Sequence, residues 1–277
     1  MFLIYLALST LLLFFGSEPS IHLSTFIWVR LLMVLAISGL IYADKKKPGP
    51  ILTLFRLSYP VIVSGYFYAE TVVYNKIFLN NLDPVLVGIE NDIFGMQPSL
   101  RFSAYFSDQL FSELMYFGYF SFYLLILSFT LYFFIKRRNY FYPVTFKLTA
   151  SMYLFYLIFC FIPSAGPQFY FPFPDSELPD AYFFNHVMHF VQGIAEQPTG
   201  AFPSSHVGIS IIILILSKKM APYYFNIAWP FVLLLILSTV YIKAHYAIDI
   251  MGGLLIAPFI LYLSNILYAL PVWKNVE

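Results

Sequence analysis

Long, nearly uninterrupted apolar runs separated by short polar stretches dominate this chain. A helix that crosses a bilayer needs about 20 mostly apolar residues, fewer where its ends are wet. Runs at 1–16, 25–43, 51–79, 112–135, 145–162, 204–217, 225–243 and 249–269 meet that requirement. The third is the weakest, because Arg56, Glu70 and Lys76 interrupt it and Tyr66, Tyr68 and Tyr74 suit an interface. The second carries Arg30 near its start, where it either snorkels or pairs inside the bundle. The pattern predicts an all-α, polytopic transmembrane helical bundle of about eight helices, with seven or six as alternatives. The run 1–16 lacks a basic leader and a small-x-small cleavage site, so it reads as a signal anchor or an ordinary first helix.

Two segments are too polar to span. Residues 80–111 contain Asp83, Glu90, Asp92, Arg101 and Asp108, and the proline-rich 163–203 contains Asp175, Glu177, Asp180 and Glu196. Both are rich in Phe and Tyr and are expected to lie on the membrane interface. The simplest organisation is one domain: N-terminal transmembrane helices over 1–79, a core over 80–269 with two outer interfacial loops, and a cytoplasmic tail over 270–277.

Composition sharpens the membrane reading. Of 277 residues, 60% are hydrophobic and 10% charged, with a mean hydropathy of +0.78. Soluble domains are about 25% charged, so this chain cannot cover a water-facing surface. The net charge of +1 matters less than where each sign sits. Lys45-Lys46-Lys47, Lys136-Arg137-Arg138, Lys218-Lys219 and Lys274 follow helices 2, 4, 6 and 8, all on one side. The positive-inside rule makes that side cytoplasmic. Both polar segments and most acids then face outward, with Asp44 and Glu277 inside. Outer cations are sparse: Lys76, Arg101 and Lys243, each a candidate for binding an anion or for pairing with a nearby acid. The single cysteine, Cys160, excludes internal disulfides and multi-cysteine metal sites.

Three stretches at the outer edge carry candidate chemistry. Gly200-Ala201-Phe202-Pro203-Ser204-Ser205-His206 leads into the sixth helix, with Ser204 as its cap and His206 in its first turn. Such an N-terminus offers free N–H groups to a phosphate. At the end of the seventh helix lie Ser238, Lys243, His245, Tyr246 and Asp249. His245 and Asp249, four apart, can pair on one helical face and leave the other imidazole nitrogen free to attack. The third stretch, Phe161 to Tyr170, ends the fifth helix with Pro163, Gly166, Pro167 and Gln168. Two histidines, a carboxylate, a lysine and a helix N-terminus at one depth suit phosphoryl transfer through a phosphohistidine. His186 and His189, three apart, read as part of an interfacial amphipathic helix rather than as metal ligands.

Pro203-Ser204-Ser205-His206 and Ser238…His245-Tyr246-Ala247-Ile248-Asp249 resemble the signatures P-S-G-H and S-R-x5-H-x3-D of the type-2 phosphatidic acid phosphatase superfamily. Gly200-Ala201-Phe202 and the His-Tyr pair look more like its inositol phosphorylceramide synthase branch. The resemblance covers roughly residues 100–265. It implies a six-helix catalytic core, no metal or cofactor, His245 as nucleophile, Asp249 as its orienting partner and His206 as general acid. Substrate-binding roles are expected of Lys243, Ser204, Ser205, Gln168, Arg101 and Ser238. Departures stand beside this: Thr239 follows Ser238 where the family has arginine, K-x6-R-P is not evident, and Gln168 stands where an arginine is expected. Lys243, Arg101 or Lys76 compensates, or the transferred group carries less charge, as a phosphodiester does.

The implied function is an integral-membrane lipid phosphatase or phosphotransferase with its site on the non-cytoplasmic face. Its expected partners are a lipid substrate and the bilayer, with no nucleic acid. Two rivals use the same pocket without turnover: a transporter, or an oxyanion- or lipid-binding protein. The ionisable residues cluster at one membrane edge and are nearly absent from mid-depth of the last four spans, which argues against a transport pathway.

Overall fold

The computed structural model describes residues 1–16, 23–172 and 178–271. Asp175, Glu177, Lys274, Glu277 and most of the expected cytoplasmic tail therefore lie outside the described residues. The helices, in chain order, are α1 (Phe2–Phe14), α2 (Leu23–Lys46), α3 (Pro50–Ile62), α4 (Ser64–Tyr74), α5 (Asp83–Phe94), α6 (Pro98–Tyr105) and α7 (Gln109–Lys136). They continue with α8 (Arg138–Phe161), α9 (Pro167–Tyr170), α10 (Phe184–Ala195), α11 (Ser205–Met220), α12 (Pro222–Tyr241) and α13 (Ala247–Ala269). No strand occurs among the described residues. The protein is an all-α, multi-pass integral membrane protein.

Among the described residues, six segments are long and apolar enough to cross a membrane: α2, α3–α4 taken together, α7, α8, α12 and α13. The other two expected spans are helical but short, with 13 residues in α1 and 16 in α11. The third expected span is interrupted at Val63, between Pro60 and Gly65. Proline removes one backbone donor and crowds the preceding turn, which accounts for a break here.

Two of the three charges that weakened this span, Glu70 and Arg56, are neutralised by partners, while Lys76 is exposed beyond the end of α4. Arg30 pairs with Glu70 at 2.6 Å and also donates to the Ser9 hydroxyl at 3.1 Å, tying α2 to α4 and α1 in the interior. Arg56 pairs with Asp44 at 2.6 Å. A charge in hydrocarbon surroundings is tolerated only when paired in this way.

α8 is the most enclosed span and forms the centre of the bundle, packed by α4, α7, α11 and α13. Its contacts are aromatic: Tyr153 stacks on Tyr5 at 4.4 Å and meets Phe67 edge-on at 5.7 Å. α7 packs along α12, where Gly118 admits Ser238: a Cβ at Gly118 would fall 2.0 Å from the Ser238 hydroxyl. The basic residues Lys45, Lys46, Lys136, Lys218 and Lys219 occupy the last turns of α2, α7 and α11. The N-terminus of α11, with His206, is at the opposite end from its lysines.

Among the described residues, the two polar segments are anchored on the bundle. Asp108 caps α7 by accepting the N–H groups of Leu110 and Phe111, both at 3.0 Å. Glu113 accepts from Tyr182, Phe183 and Phe184, anchoring the start of α10 on α7. His186 and His189 are exposed on α10.

Candidate active site

Three chain segments meet at the end of the bundle opposite the lysines of α11, and each is held by an identifiable contact. Ser204 caps α11 by accepting the Val207 N–H at 3.3 Å, while its own N–H donates to the Asp249 carbonyl at 3.0 Å. α11 therefore starts directly against the first turn of α13. Gly253 makes this approach feasible, since a Cβ there would lie 2.6 Å from the Ser204 carbonyl oxygen. The 163–170 segment joins from α8: the Gln168 N–H donates to the Lys243 carbonyl, and Ser164 accepts from the Phe202 N–H. Gly166, at φ 91, permits the close passage, because a Cβ would meet the Ala244 carbonyl oxygen at 2.9 Å.

Two acids of α5 lock this arrangement. Asp83 accepts the N–H groups of Ala165 and Gly166 at 2.7 and 2.9 Å and the Tyr246 hydroxyl at 2.8 Å. Glu90 accepts the Ile248 N–H at 3.2 Å in the first turn of α13. Carboxylates at a helix N-terminus satisfy its free donors and its dipole. Burial pushes the Glu90 carboxyl up to about 7, opposed by the N–H groups of Ile248 and Ala247 and reinforced by the charge of Asp249. The sequence marked both acids as polar loop residues only. Their role becomes visible only once α5 is seen lying across the start of α13.

At the centre, His245 and His206 face each other, with Nε2 of the former 3.2 Å from Nδ1 of the latter. The opposite nitrogen of His245, Nδ1, lies 2.9 Å from the Ala201 carbonyl and 3.3 Å from Asp249 Oδ2. Both are acceptors, which assigns the proton to Nδ1 and leaves Nε2 with its lone pair toward His206. Asp249 also accepts the Tyr246 N–H at 2.8 Å, so the carboxylate is fixed in place. His206 Nε2 stands 3.2 Å from the Tyr119 hydroxyl, which donates to Glu196 Oε1 at 2.6 Å. All five side chains are buried.

These side chains form one continuous hydrogen-bonded chain. Its four links run from Asp249 and Ala201 to His245, on to His206, on to Tyr119 and on to Glu196. Each link needs one proton. Neutral His245, neutral His206 and Tyr119 bring one each, three in all, when both carboxylates are ionised. Filling all four links at once would take a fourth proton; with three, one link stays open.

Gln168 and Gln192 complete the Glu196 environment. Gln168 Nε2 donates to Glu196 Oε2, and Gln192 Nε2 donates to Gln168 Oε1 at 3.1 Å and to Glu196 Oε2 at 3.4 Å. The position where arginine was expected is thus a neutral amide turned toward a carboxylate.

The other sequence candidates divide. Ser205 is buried on the pocket wall next to His206. Lys243 is buried and takes a left-handed backbone, φ 64, an uncommon conformation for a side-chain-bearing residue; its carbonyl holds Gln168. Ser238 does not face the histidines: its hydroxyl donates to the Leu234 carbonyl at 2.7 Å and packs on Met115 at the α7–α12 contact. Arg101 is exposed on α6, whose Phe102 packs edge-on against Tyr241 at the end of α12. Lys76 is exposed as well. Tyr119 and Glu196 were not singled out by the sequence. Tyr119 sits mid-helix among many aromatics, and only folding shows that its hydroxyl points at His206.

A family model described as the PAP2 superfamily matches residues 88–263, well over half the chain and including every member of the histidine cluster. No curated protein and no solved structure matches it significantly.

Proposed function

Because the chain belongs to the PAP2 superfamily, a superfamily of membrane phosphatases and phosphotransferases, we propose that it is a lipid phosphotransferase or phosphatase using a phosphohistidine on His245. The observation that carries this reading is the 3.2 Å His245 Nε2–His206 Nδ1 contact, with Asp249 behind the first ring.

Phosphorus reaches Nε2 only once the His206 ring gives up that bond. The Nε2 lone pair then forms the N–P bond while the P–O bond to the leaving alcohol breaks. His206 delivers its proton to the departing oxygen. Asp249, against Nδ1–H, stabilises the positive charge that develops on the His245 ring. In the second half, an acceptor alcohol or water gives its proton to His206, forms the new O–P bond and releases His245. Ser204 orders the N-terminus of α11, whose first N–H groups suit the phosphoryl oxygens.

The carboxylate of Glu196, held by neutral donors beside His206, disfavours a doubly charged phosphomonoester and favours a phosphodiester donor. A phosphodiester donor is what transfer of a phospho-headgroup to a lipid alcohol, as in the inositol phosphorylceramide synthase branch, requires. The site would face the non-cytoplasmic side, opposite the basic helix ends.

The test is incubation of purified protein with labelled phospholipids, comparing wild type with His245→Ala and trapping acid-labile, base-stable label on the protein. Turnover and label should both vanish in the variant. Unchanged turnover in His245→Ala would remove the phosphohistidine, and inactivity of the wild type on every lipid would favour an oxyanion- or lipid-binding role.

A further inference from the structure

A cavity of about 560 Å³ opens from His206, Ser205 and Glu196 and runs down between α3–α4, α7 and α8. The ionisable groups lie at that end; deeper in, the walls are made by residues such as Leu54, Ile126 and Met152. The Ser58 and Thr130 hydroxyls there donate back to the Leu54 and Ile126 carbonyls of their own helices. Leu54 and Tyr68 both line it, and their 14-residue separation corresponds to about 20 Å of helix. The cavity is therefore long and narrow, reaching from the reactive histidines well into the hydrocarbon depth.

Its side is open to the bilayer. α3–α4 and α7 both pack on α8, on either side of a slot. Phe55, Ile62 and Leu127 line the cavity, yet they are 48%, 60% and 56% exposed. Water in the deep part would find few hydrogen-bond partners, whereas hydrocarbon loses nothing by entering. The volume suits roughly 15 to 20 methylene groups, each close to a water in size, and thus a single chain.

We propose that this cavity holds one long, unbranched alkyl chain of the lipid substrate, which enters sideways through the slot between α3–α4 and α7 and brings its phosphate to His206 and His245. The proposal rests on the phosphotransfer reading for the identity of the headgroup. It adds that chain selectivity resides partly outside the superfamily match, which begins at residue 88, because α3 and α4 end before it.

Two positions make this testable without touching the reacting groups. Gly65 lines the mouth, and a Cβ there meets nothing within 4 Å, so a large side chain enters open space. Thr130 lines the deep end. Gly65→Trp is expected to lower kcat/KM for a long-chain substrate at least tenfold while a short-chain analogue changes less than threefold. Thr130→Phe should shift the optimum toward shorter chains.

A second measurement needs no turnover. A long-chain alkylphosphonate with a diazirine at its terminal carbon is irradiated with full-length His245→Ala protein, and the labelled peptides are mapped. Label should fall on the segments carrying Thr130 and Met152 and be lost in the Gly65→Trp background. Label confined to outward-facing residues such as Leu255 and Phe259, or unaffected by Gly65→Trp, identifies annular lipid only and overturns the proposal. Deep labelling in a protein inactive on every lipid supports the chain site and removes the phosphotransfer reading instead. Equal losses on short and long chains in the folded Gly65→Trp protein also overturn it.

Discussion

Replacing Tyr119 by Phe deletes one oxygen and keeps the ring, which packs 5.0 Å from the His206 ring. The lost hydroxyl is the link between His206 Nε2, at 3.2 Å, and Glu196 Oε1, at 2.6 Å. A hydrogen bond involving a charged partner contributes about 1.5–3 kcal/mol. With one factor of ten per ~1.4 kcal/mol, the expected loss in kcat is about 10- to 100-fold. The loss should depend on the leaving group. An alkoxide cannot depart without a proton, so a dialkyl or lipid phosphodiester should show the full effect. An aryl oxide departs without help, so a nitrophenyl ester should turn over within about threefold of wild type. The assay is steady-state kinetics of both substrates in the same detergent, alongside a thermal melt to verify folding. Equal losses on the two substrates, in a protein that melts normally, would refute the proton-relay role and leave Tyr119 as packing.

Three further outcomes follow from the same geometry. Asp249→Asn removes the carboxylate behind His245 and should reduce kcat by roughly 10²-fold or more on alkyl and aryl substrates alike, since it acts on the nucleophile; steady-state kinetics checks this. Asp83→Ala leaves the Ala165 and Gly166 N–H groups and the Tyr246 hydroxyl without their acceptor and should destabilise the fold by about 3 kcal/mol, read by unfolding in detergent. Glu90 gives a pH signature: its carboxyl is held at about 7 against an ordinary 4.5, so the folded protein binds that proton more tightly. Its contribution to stability is full below 4.5 and declines as pH rises through 7, and Glu90→Gln should flatten that decline in pH-dependent melts.

Much of this protein was legible in its sequence because lipid leaves few choices. Backbone groups in hydrocarbon must bond within their own segment, so apolar runs of sufficient length become helices whatever their neighbours are. The sequence paired His245 with Asp249 on the premise of one helical face. The two do meet, but His245 lies in the turn before α13, and the cap at Tyr246, whose N–H Asp249 accepts, brings them together. Basic clusters between runs placed the site at the end opposite the lysines of α11 for an equally local reason. The tertiary structure decided what depends on segments distant in the chain. Residues 128 positions apart, Thr71 and Thr199, hydrogen-bond each other, and no local pattern announces that. The same holds for Tyr119 against His206, for Glu196 turned toward Gln168, and for Asp83 and Glu90 clamping the start of α13. Ser238 shows the converse: it sits at the right spacing within its motif, yet the packing of Gly118 draws it into a helix contact. Spacing fixes which residues share a face. Only the packing of that face against others determines which of them meet a substrate.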